Sequence, residues 1–411
     1  MSTTTTTTAS AALLVERRRA WKTPFTEAMG IRLPLVSAPM AGVSGGLLAS
    51  EVTRAGGLGM ISAGHLRNLA DLEAQIEIFV ESTNAAKAKA AIAIATEDSY
   101  NRSSSSPSSP SSPATSDLAI GFIGFSSLAT PTGWEDYEYI LRKYRPKAVQ
   151  FFAPFLVERP GRCGGGGGGT EDNVQLARAH GSKFIAQVCS MSDVGLAVRH
   201  GGVDAIICQG GEAGGHGLRR ELGNSAMALA SQAKRMMTAT SSSSSSIIPV
   251  LASGGVVNGR HVASALCYCD GVSMGTRYWA CRESIGDGRM QRRLVDDGDG
   301  SSSSCDGVLR TVVFDAIHNE TSSDVKWPYP YDSVGALRNE TTDGVGRKAV
   351  FGIAKGDGRD GPVGKIRKMQ GDSRCQRRSG TIGGGGGGDR YHRGGVRHHA
   401  KDRTGGDRCH R

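Results

Sequence analysis

The 411-residue chain lacks several patterns that identify common classes of protein. No apolar run reaches the ~18 residues that a membrane-spanning helix needs. Nine cysteines are present, but no two have C-x-x-C spacing, so we expect no metal site and no disulfide framework. There is no P-loop and no H-E-x-x-H motif. The pattern G-x-G-x-x-G occurs only in the poly-glycine runs and in the tail, from Gly356 to Gly361, and not directly after a predicted strand, where a dinucleotide-binding site would need it.

Positive charge is concentrated at one end of the chain. The net charge is +10, yet residues 353–411 hold 15 Lys and Arg against 6 Asp and Glu, whereas the remainder holds 34 against 33. A nearly neutral body does not favour a nucleic acid or an anionic membrane as a partner. Residues 346–411 are rich in glycine and poor in apolar residues, which predicts a basic, disordered tail.

Low-complexity segments also interrupt the body of the chain. Residues 102–116 are rich in Ser and Pro, residues 164–169 are all Gly, and residues 241–246 are all Ser. Such segments bury too little apolar area to offset the entropy of ordering, so we predict disordered inserts in loops. The composition of residues 1–22 predicts a disordered polar leader. We expect a cytoplasmic protein, and the alternative is that this leader is a mitochondrial presequence.

Eight short apolar runs, separated by stretches that are mostly long enough for a helix, predict the fold. Continuous hydrophobicity is typical of parallel strands that are buried on both faces. The pattern favours an α/β fold, specifically a (β/α)8 TIM barrel over residues 23–345. An open doubly wound sheet is the alternative. The runs are Leu33–Pro39, Leu58–Ala63, Leu118–Phe125, Ala148–Phe155, Lys183–Cys189, Asp204–Gln209, Ile248–Ser253 and Gly271–Tyr278. The helices predicted between them include Gly46–Arg54, Leu69–Ser82, Asp136–Lys143, Asp172–His180, Met191–His200 and Gly259–Cys267.

The most informative motif is the glycine-rich segment from Gln209 to His216, directly after the sixth run. Glycine allows the backbone to approach a ligand closely. In a barrel, the loops that follow the strands carry the active site. Histidine is suited to proton transfer near neutral pH, so we predict that His216 is catalytic. The alternative is a loop histidine that hydrogen-bonds the backbone.

Two further glycine-rich segments, Ser253-Gly254-Gly255 and Gly275-Thr276, end or follow the seventh and eighth strands. Barrels commonly bind phosphate at these positions, although such segments also form tight turns that close a barrel. Met40 follows the first run, where it would pack against a flat aromatic ring or fill the core.

Two matches to the G-x-S-x-G nucleophile motif place Ser44 and Ser273 at their centres. Ser273 falls within a predicted strand, and Ser44 has no clear Asp–His partner. A serine hydrolase is therefore disfavoured.

Taken together, these residues resemble the nitronate monooxygenases, formerly called 2-nitropropane dioxygenases. The resemblance runs in the family's order from about residue 24 to 340. The matching segments are Ala38-Pro39-Met40-Ala41-Gly42, Ala55 to Gly59, Gln209 to His216, Ala252 to Gly255, Asp270-Gly271, Met274 to Arg277, Trp327-Pro328, Tyr331 and Arg338-Asn339.

The resemblance implies an FMN flavoprotein that oxidises alkyl nitronates, with nitroalkanes as a second substrate class, using O2 to give a carbonyl compound and nitrite. His216 would be the base for neutral nitroalkanes or would position the anionic nitronate. The implied cofactor-binding residues are Ala38, Pro39 and Met40 at the flavin ring, Gln187, Gly214 and Gly215 near the ring or its side chain, and Ser253, Gly254, Gly255, Gly275 and Thr276 at the phosphate.

Two alternatives share this fold. One is a flavin-dependent enoyl-thioester reductase, for which no NAD(P)H site is identifiable in the sequence. The other is a catalytically inactive flavin-binding barrel.

Overall fold

A computed structural model describes residues 21–64, 68–98, 117–163, 170–240, 247–296, 308–321, 326–338 and 342. All of them belong to the unit formed by residues 1–356. Residues 1–20 of the predicted leader, the three low-complexity inserts and the predicted tail lie outside the described residues. The predictions for those segments stay predictions.

All eight predicted strands are present, and they form one parallel sheet. Its order is β1-β11-β10-β8-β7-β4-β3-β2. The two outer strands meet, because Leu58 N–H donates to Leu35 O at 2.8 Å and Ser37 N–H donates to Leu58 O at 3.0 Å. The sheet therefore closes into the predicted barrel. In chain order the described strands are β1 (Leu35–Ser37), β2 (Met60–Ser62), β3 (Ala119–Ile123), β4 (Ala148–Phe152), β5 (Glu158–Cys163), β6 (Thr170–Asp172), β7 (Lys183–Val188), β8 (Ala205–Gln209), β9 (Gly215–Gly217), β10 (Val250–Ser253), β11 (Gly271–Met274), β12 (Val308–Thr311) and β13 (Ser333–Leu337).

Helices connect the barrel strands and cover the outside of the sheet. In chain order they are α1 (Pro24–Met29), α2 (Gly46–Ala55), α3 (Leu69–Asp98), α4 (Gly124–Ser127), α5 (Pro131–Tyr144), α6 (Asn173–Ala179), α7 (Met191–His200), α8 (Ala226–Thr240), α9 (Gly259–Ala265), α10 (Thr276–Trp279), α11 (Gly288–Asp296) and α12 (Val313–Thr321). Within the described ranges, every helix is too short or too polar to traverse a lipid bilayer.

Two of the predicted helix boundaries were wrong. The helix predicted to end at Ser82 continues to Asp98. The helix predicted to begin at Asp136 begins at Pro131, where the Thr130 side chain accepts a hydrogen bond from Gly133 N–H. Proline suits the first turn because its missing N–H would have no partner there.

The barrel has an inner and an outer core. Helix α1 closes the amino end of the barrel, where Phe25 and Met29 pack with buried strand residues such as Val36 and Met60. The outer core lies between sheet and helices and includes Phe151 and Phe184, whose rings stack with centroids 5.5 Å apart. Side chains therefore fill the amino end of the barrel, which agrees with the usual location of barrel active sites at the carboxyl end of the strands.

Five strands outside the barrel were not predicted. The β5–β6 hairpin is antiparallel. Strands β9, β13 and β12 form a separate antiparallel sheet in which His216 pairs with Val334. We call the described residues 308–321 and 326–338 the strap, because they return the chain to the glycine-rich loop after β8.

Candidate active site

The loop after β1 lies beside the loop after β11. Ala38 N–H donates to Met274 O at 2.9 Å. A methyl group added to Gly275 would lie 3.4 Å from Met40 Sδ and 3.9 Å from Ala38 Cβ. The predicted ring-binding and phosphate-binding segments are therefore neighbours at one end of the barrel.

The loop after β8 lies beside the loops that follow β10 and β11. A methyl group on Gly214 would lie 3.8 Å from Thr276 Oγ1, and one on Gly254 would lie 3.0 Å from the backbone nitrogen of Ala213. Gly215, Gly254 and Gly255 have φ values of 71°, 132° and 67°. These left-handed conformations favour glycine, which explains why the loops are glycine-rich.

Backbone donors in these loops fit an anionic group. Within the described residues, the N–H groups of Gly255, Gly275 and Thr276 donate no hydrogen bond to another protein group. Gly255 and Thr276 are exposed, and Ser253 lies at the end of β10 beside them. Exposed N–H groups in glycine-rich turns form anion-binding sites, so these loops suit the terminal phosphate of a cofactor.

A chain of amide side chains crosses the barrel beneath His216. Gln150 Nε2 donates to Gln187 Oε1 at 2.5 Å, Gln187 Nε2 donates to Gln209 Oε1 at 2.6 Å, and Gln209 Nε2 donates to the His216 carbonyl at 2.7 Å. In the described part of the chain, Gln150 Oε1 is buried without a hydrogen-bond partner. A buried orphan acceptor at a ligand site fits a group that donates an N–H.

Gln187 was predicted from the family resemblance, but Gln150 was missed. Gln150 could have been recognised from the sequence, because it is the one polar residue in the apolar run Ala148–Phe152.

His216 lies at the carboxyl end of the barrel, as its position after β8 predicted. Its Nε2 is 3.0 Å from Asp315 Oδ1, and its ring stacks on Trp327 with centroids 3.9 Å apart and planes 8° apart. The imidazole is 24% exposed and the Asp315 side chain 6%. The ring thus bonds a carboxylate rather than the backbone, in contrast to the alternative considered from the sequence.

Both partners of His216 come from the strap. Asp315 is on α12 and was not predicted, since it lies 99 residues away in sequence with no local motif. Trp327 was noted only as part of the family resemblance. It contacts Phe125 edge to face at 4.8 Å, and Phe152 contacts Tyr331 at 5.4 Å. These rings form an aromatic wall beside the histidine.

Two nearby groups remain protonated at neutral pH. Burial raises the pKa of the Cys189 thiol to about 12. Burial, followed by the negative charge of Asp193, raises the pKa of the Tyr331 phenol well above its usual range. Neither side chain is therefore a ready nucleophile or base.

Arg310 of β12 fastens the glycine-rich loop to the strap. Its guanidinium donates to the carbonyl oxygens of Gly211, Ala213 and Ser333 at 2.9, 2.7 and 3.0 Å. Glu212, which is part of the most specific sequence motif, accepts a hydrogen bond from Ala226 N–H at the start of α8. Arg310 and Glu212 thus hold the loop in place.

Ser44 has a structural role. Its hydroxyl donates to Ala38 O at 2.8 Å and accepts from Met40 N–H at 3.1 Å, which holds the loop after β1. Ser273 lies within β11 as predicted, and its buried hydroxyl has no partner among the described residues. Neither serine has the surroundings of a hydrolase nucleophile.

Comparisons with known proteins identify similar sequences. Residues 165–306 match the family model described as nitronate monooxygenase. A nitronate monooxygenase from Pseudomonas aeruginosa is 27% identical over 337 residues, which cover 76% of this chain and 87% of that protein. A nitronate monooxygenase from Neurospora crassa is 26% identical over 310 residues, covering 75% and 74%.

This chain is similar to the nitronate monooxygenases. It is an oxidoreductase, and the relatives support a flavin as its cofactor. The structure of FabK from Thermotoga maritima aligns with a TM-score of 0.52 at 18% identity, covering 88% of this chain and 100% of that one, which shows the shared fold. The strap, with Asp315 and Trp327, lies beyond the segment that the nitronate monooxygenase model matches.

Proposed function

We propose that the protein binds FMN and oxidises alkyl nitronates, and neutral nitroalkanes after deprotonation, with O2 to give a carbonyl compound and nitrite. One observation carries the proposal: His216 stands at the same end of the barrel as the anion-binding loops. This supports a proton acceptor beside a cofactor, which the reaction requires.

Each part of the site has a distinct task in this proposal. The N–H groups of Gly255, Gly275 and Thr276, with Ser253 and Gly254, would hold the phosphate of FMN. Met40, with Ala38 and Pro39, would pack on the flavin ring, and Gln187, Gly214 and Gly215 would line it. FMN held there would supply the redox chemistry between the substrate and O2.

His216 acts on the proton of the substrate. With a neutral nitroalkane, the imidazole removes the proton from the carbon next to the nitro group. With a preformed nitronate, no proton needs to be removed, and a protonated imidazole pairs with the anion. The aromatic wall around Trp327 excludes water and accommodates the apolar alkyl group.

Cofactor identity and reaction type are tested on the purified protein. We expect flavin released by heat to co-migrate with FMN, and O2 consumption with a nitronate to be accompanied by nitrite. Release of FAD, or no flavin in folded protein, would contradict FMN. Oxidation of NAD(P)H by an enoyl thioester would instead favour the reductase.

The role of His216 is tested with His216→Asn. Turnover of neutral nitroalkanes should fall by roughly 10²–10⁴-fold, the contribution typical of a general base, whereas nitronate oxidation should fall much less. Flavin content should stay near wild type because the phosphate is held by other loops. The matched control is His261→Asn on the outer helix α9, where the side chain is exposed. Equal rates with both substrate forms in His216→Asn would show that His216 is only a loop residue.

A further inference from the structure

We infer that Asp315 is a positioning residue: its carboxylate holds the proton on Nε2 of His216 and so makes Nδ1 the nitrogen that accepts the substrate proton. The inference rests on the proposed function for the identity of the substrate, but the assignment of the two nitrogens follows from the structure of the protein.

The hydrogen bond determines the tautomer. An ionised carboxylate can only accept hydrogen bonds, and a neutral imidazole carries one N–H. Nε2 is 3.0 Å from Asp315 Oδ1, so the single proton of the neutral ring lies on Nε2. The lone pair available to a substrate is then on Nδ1.

The surroundings of the ring agree with this assignment. Within the described residues, Nδ1 of His216 has no hydrogen-bond partner, and it is not among the buried unpaired atoms. Since the imidazole is 24% exposed, Nδ1 is the ring atom that can meet a ligand. Nε2, by contrast, points to a carboxylate that is 6% exposed.

The hydrogen bond from His216 Nε2–H is important for the buried carboxylate of Asp315. Its other oxygen, Oδ2, is buried without a hydrogen-bond partner in the described part of the chain. An incompletely paired buried carboxylate is costly, so the Nε2–H bond is not readily given up. The same negative charge stabilises the imidazolium that forms once Nδ1 has taken a proton.

Trp327 restricts the remaining freedom of the ring. With planes 8° apart and centroids 3.9 Å apart, the stacked indole prevents the imidazole from tilting away. The backbone is held as well, because His216 pairs with Val334 of β13. The strap therefore determines both the tautomer and the orientation of a side chain that lies in another loop.

The step balances as a simple proton transfer. The C–H bond next to the nitro group breaks, and its electron pair forms the C=N bond of the nitronate. The π electron pair of one N=O bond moves onto its oxygen, which carries the negative charge. The proton moves to Nδ1. The products are an imidazolium bonded to Asp315 and an anionic nitronate, with no change in oxidation state.

The tautomer is tested directly by ¹⁵N NMR of the full-length protein labelled at histidine, with His216→Asn identifying the His216 signals. We expect the neutral ring to have a protonated Nε2 and an unprotonated Nδ1. Asp315→Asn should abolish that preference, because an amide can also donate a hydrogen bond, and Asp315→Glu should retain it. A wild-type ring protonated on Nδ1, or a spectrum unchanged in Asp315→Asn, would overturn the inference.

Kinetics supply the second test. Asp315→Asn should lower kcat for a neutral nitroalkane by roughly 10²-fold, at the lower end of a general-base contribution, with a much smaller change for the nitronate. Asp315→Glu should recover part of the loss, and the exposed control Asp287→Asn should be neutral. Equal loss with both substrates would show a merely structural role. If wild type turns over neither substrate, the proposed function is wrong and the ¹⁵N spectra alone decide on Asp315.

Discussion

Arg310→Met tests whether the strap holds the active site together. The substitution keeps an unbranched apolar side chain of similar length and removes the guanidinium. Three backbone carbonyls, of Gly211, Ala213 and Ser333, then lose their donor. Two of these belong to the glycine-rich loop and one to β13, so the loop and the strap lose the three bonds by which Arg310 joins them.

The expected cost follows from these three bonds. A hydrogen bond from a charged donor contributes ~1.5–3 kcal/mol, and a buried carbonyl left without a partner costs ~1–3 kcal/mol. The contributions do not add fully, because burial lowers the pKa of Arg310, which reflects the cost of keeping its charge away from water. We therefore expect a loss of about 3–5 kcal/mol, toward or below the lower end of the ~4.5–9 kcal/mol to which three charged hydrogen bonds would sum.

The measurement is urea denaturation together with flavin content and turnover. A loss of this size is a large share of the ~5–15 kcal/mol that stabilises a typical protein. Flavin retention and nitroalkane turnover should fall too, since Asp315 and Trp327 belong to the same strap. Arg310→Lys should not restore stability, because an ammonium cannot reach three carbonyls in the geometry of the guanidinium fork.

The control is Arg289→Met. The Arg289 side chain is 73% exposed and, among the described residues, forms an ion pair only with Asp287. This substitution should change stability by no more than ~0.5 kcal/mol. The reasoning is refuted if the free energy of unfolding of Arg310→Met lies within ~1 kcal/mol of the wild-type value and the variant keeps its flavin. A change of that size is typical of a substitution with no special contacts, so the strap would not depend on Arg310.

Two further predictions concern the strap and the barrel interior. Asp332 bonds Arg219 through both oxygens, at 2.9 and 2.5 Å, and these bonds lower the pKa of Asp332 from 3.8. A carboxyl group whose pKa is lowered by folding stabilises the folded state at pH values above the ordinary carboxyl pKa. This stabilisation is lost as the pH falls through the lowered pKa. Asp332→Asn should therefore cost about 1 kcal/mol at pH 7, because the pair is partly exposed, and its denaturation midpoint should converge with wild type in acid; a difference independent of pH would contradict the ion pair. Gly121→Ala would place a methyl 2.3 Å from Cβ and Cγ of Pro39, so we expect less bound flavin per protein by absorbance, whereas Gly259→Ala, with no atom within 4 Å, should retain it. Full flavin retention in Gly121→Ala would show that Pro39 moves without affecting the cofactor site.

The strands could be predicted from the sequence because hydrophobicity is a local property. A strand buried on both faces must be apolar throughout, so runs such as Lys183–Val188 and Ala205–Gln209 are recognisable without knowing their neighbours. The glycine-rich loops were recognisable for a related reason, since residues such as Gly215 and Gly255 have positive φ, a conformation that few other residues adopt. Helix ends were less predictable, as α3 and α5 show, because packing decides how far a helix continues.

By itself, then, the sequence determined the barrel, the end of it that carries the loops, and the presence of His216 among them. Only the tertiary structure decided what surrounds that histidine. Asp315, Trp327 and Arg310 come from a segment about a hundred residues later, and they reach the site because β13 pairs with β9 and β12. Such pairing depends on contacts between distant segments, which leave no periodic signal in either segment. A carboxylate partner for His216 therefore becomes visible only when the chain is folded.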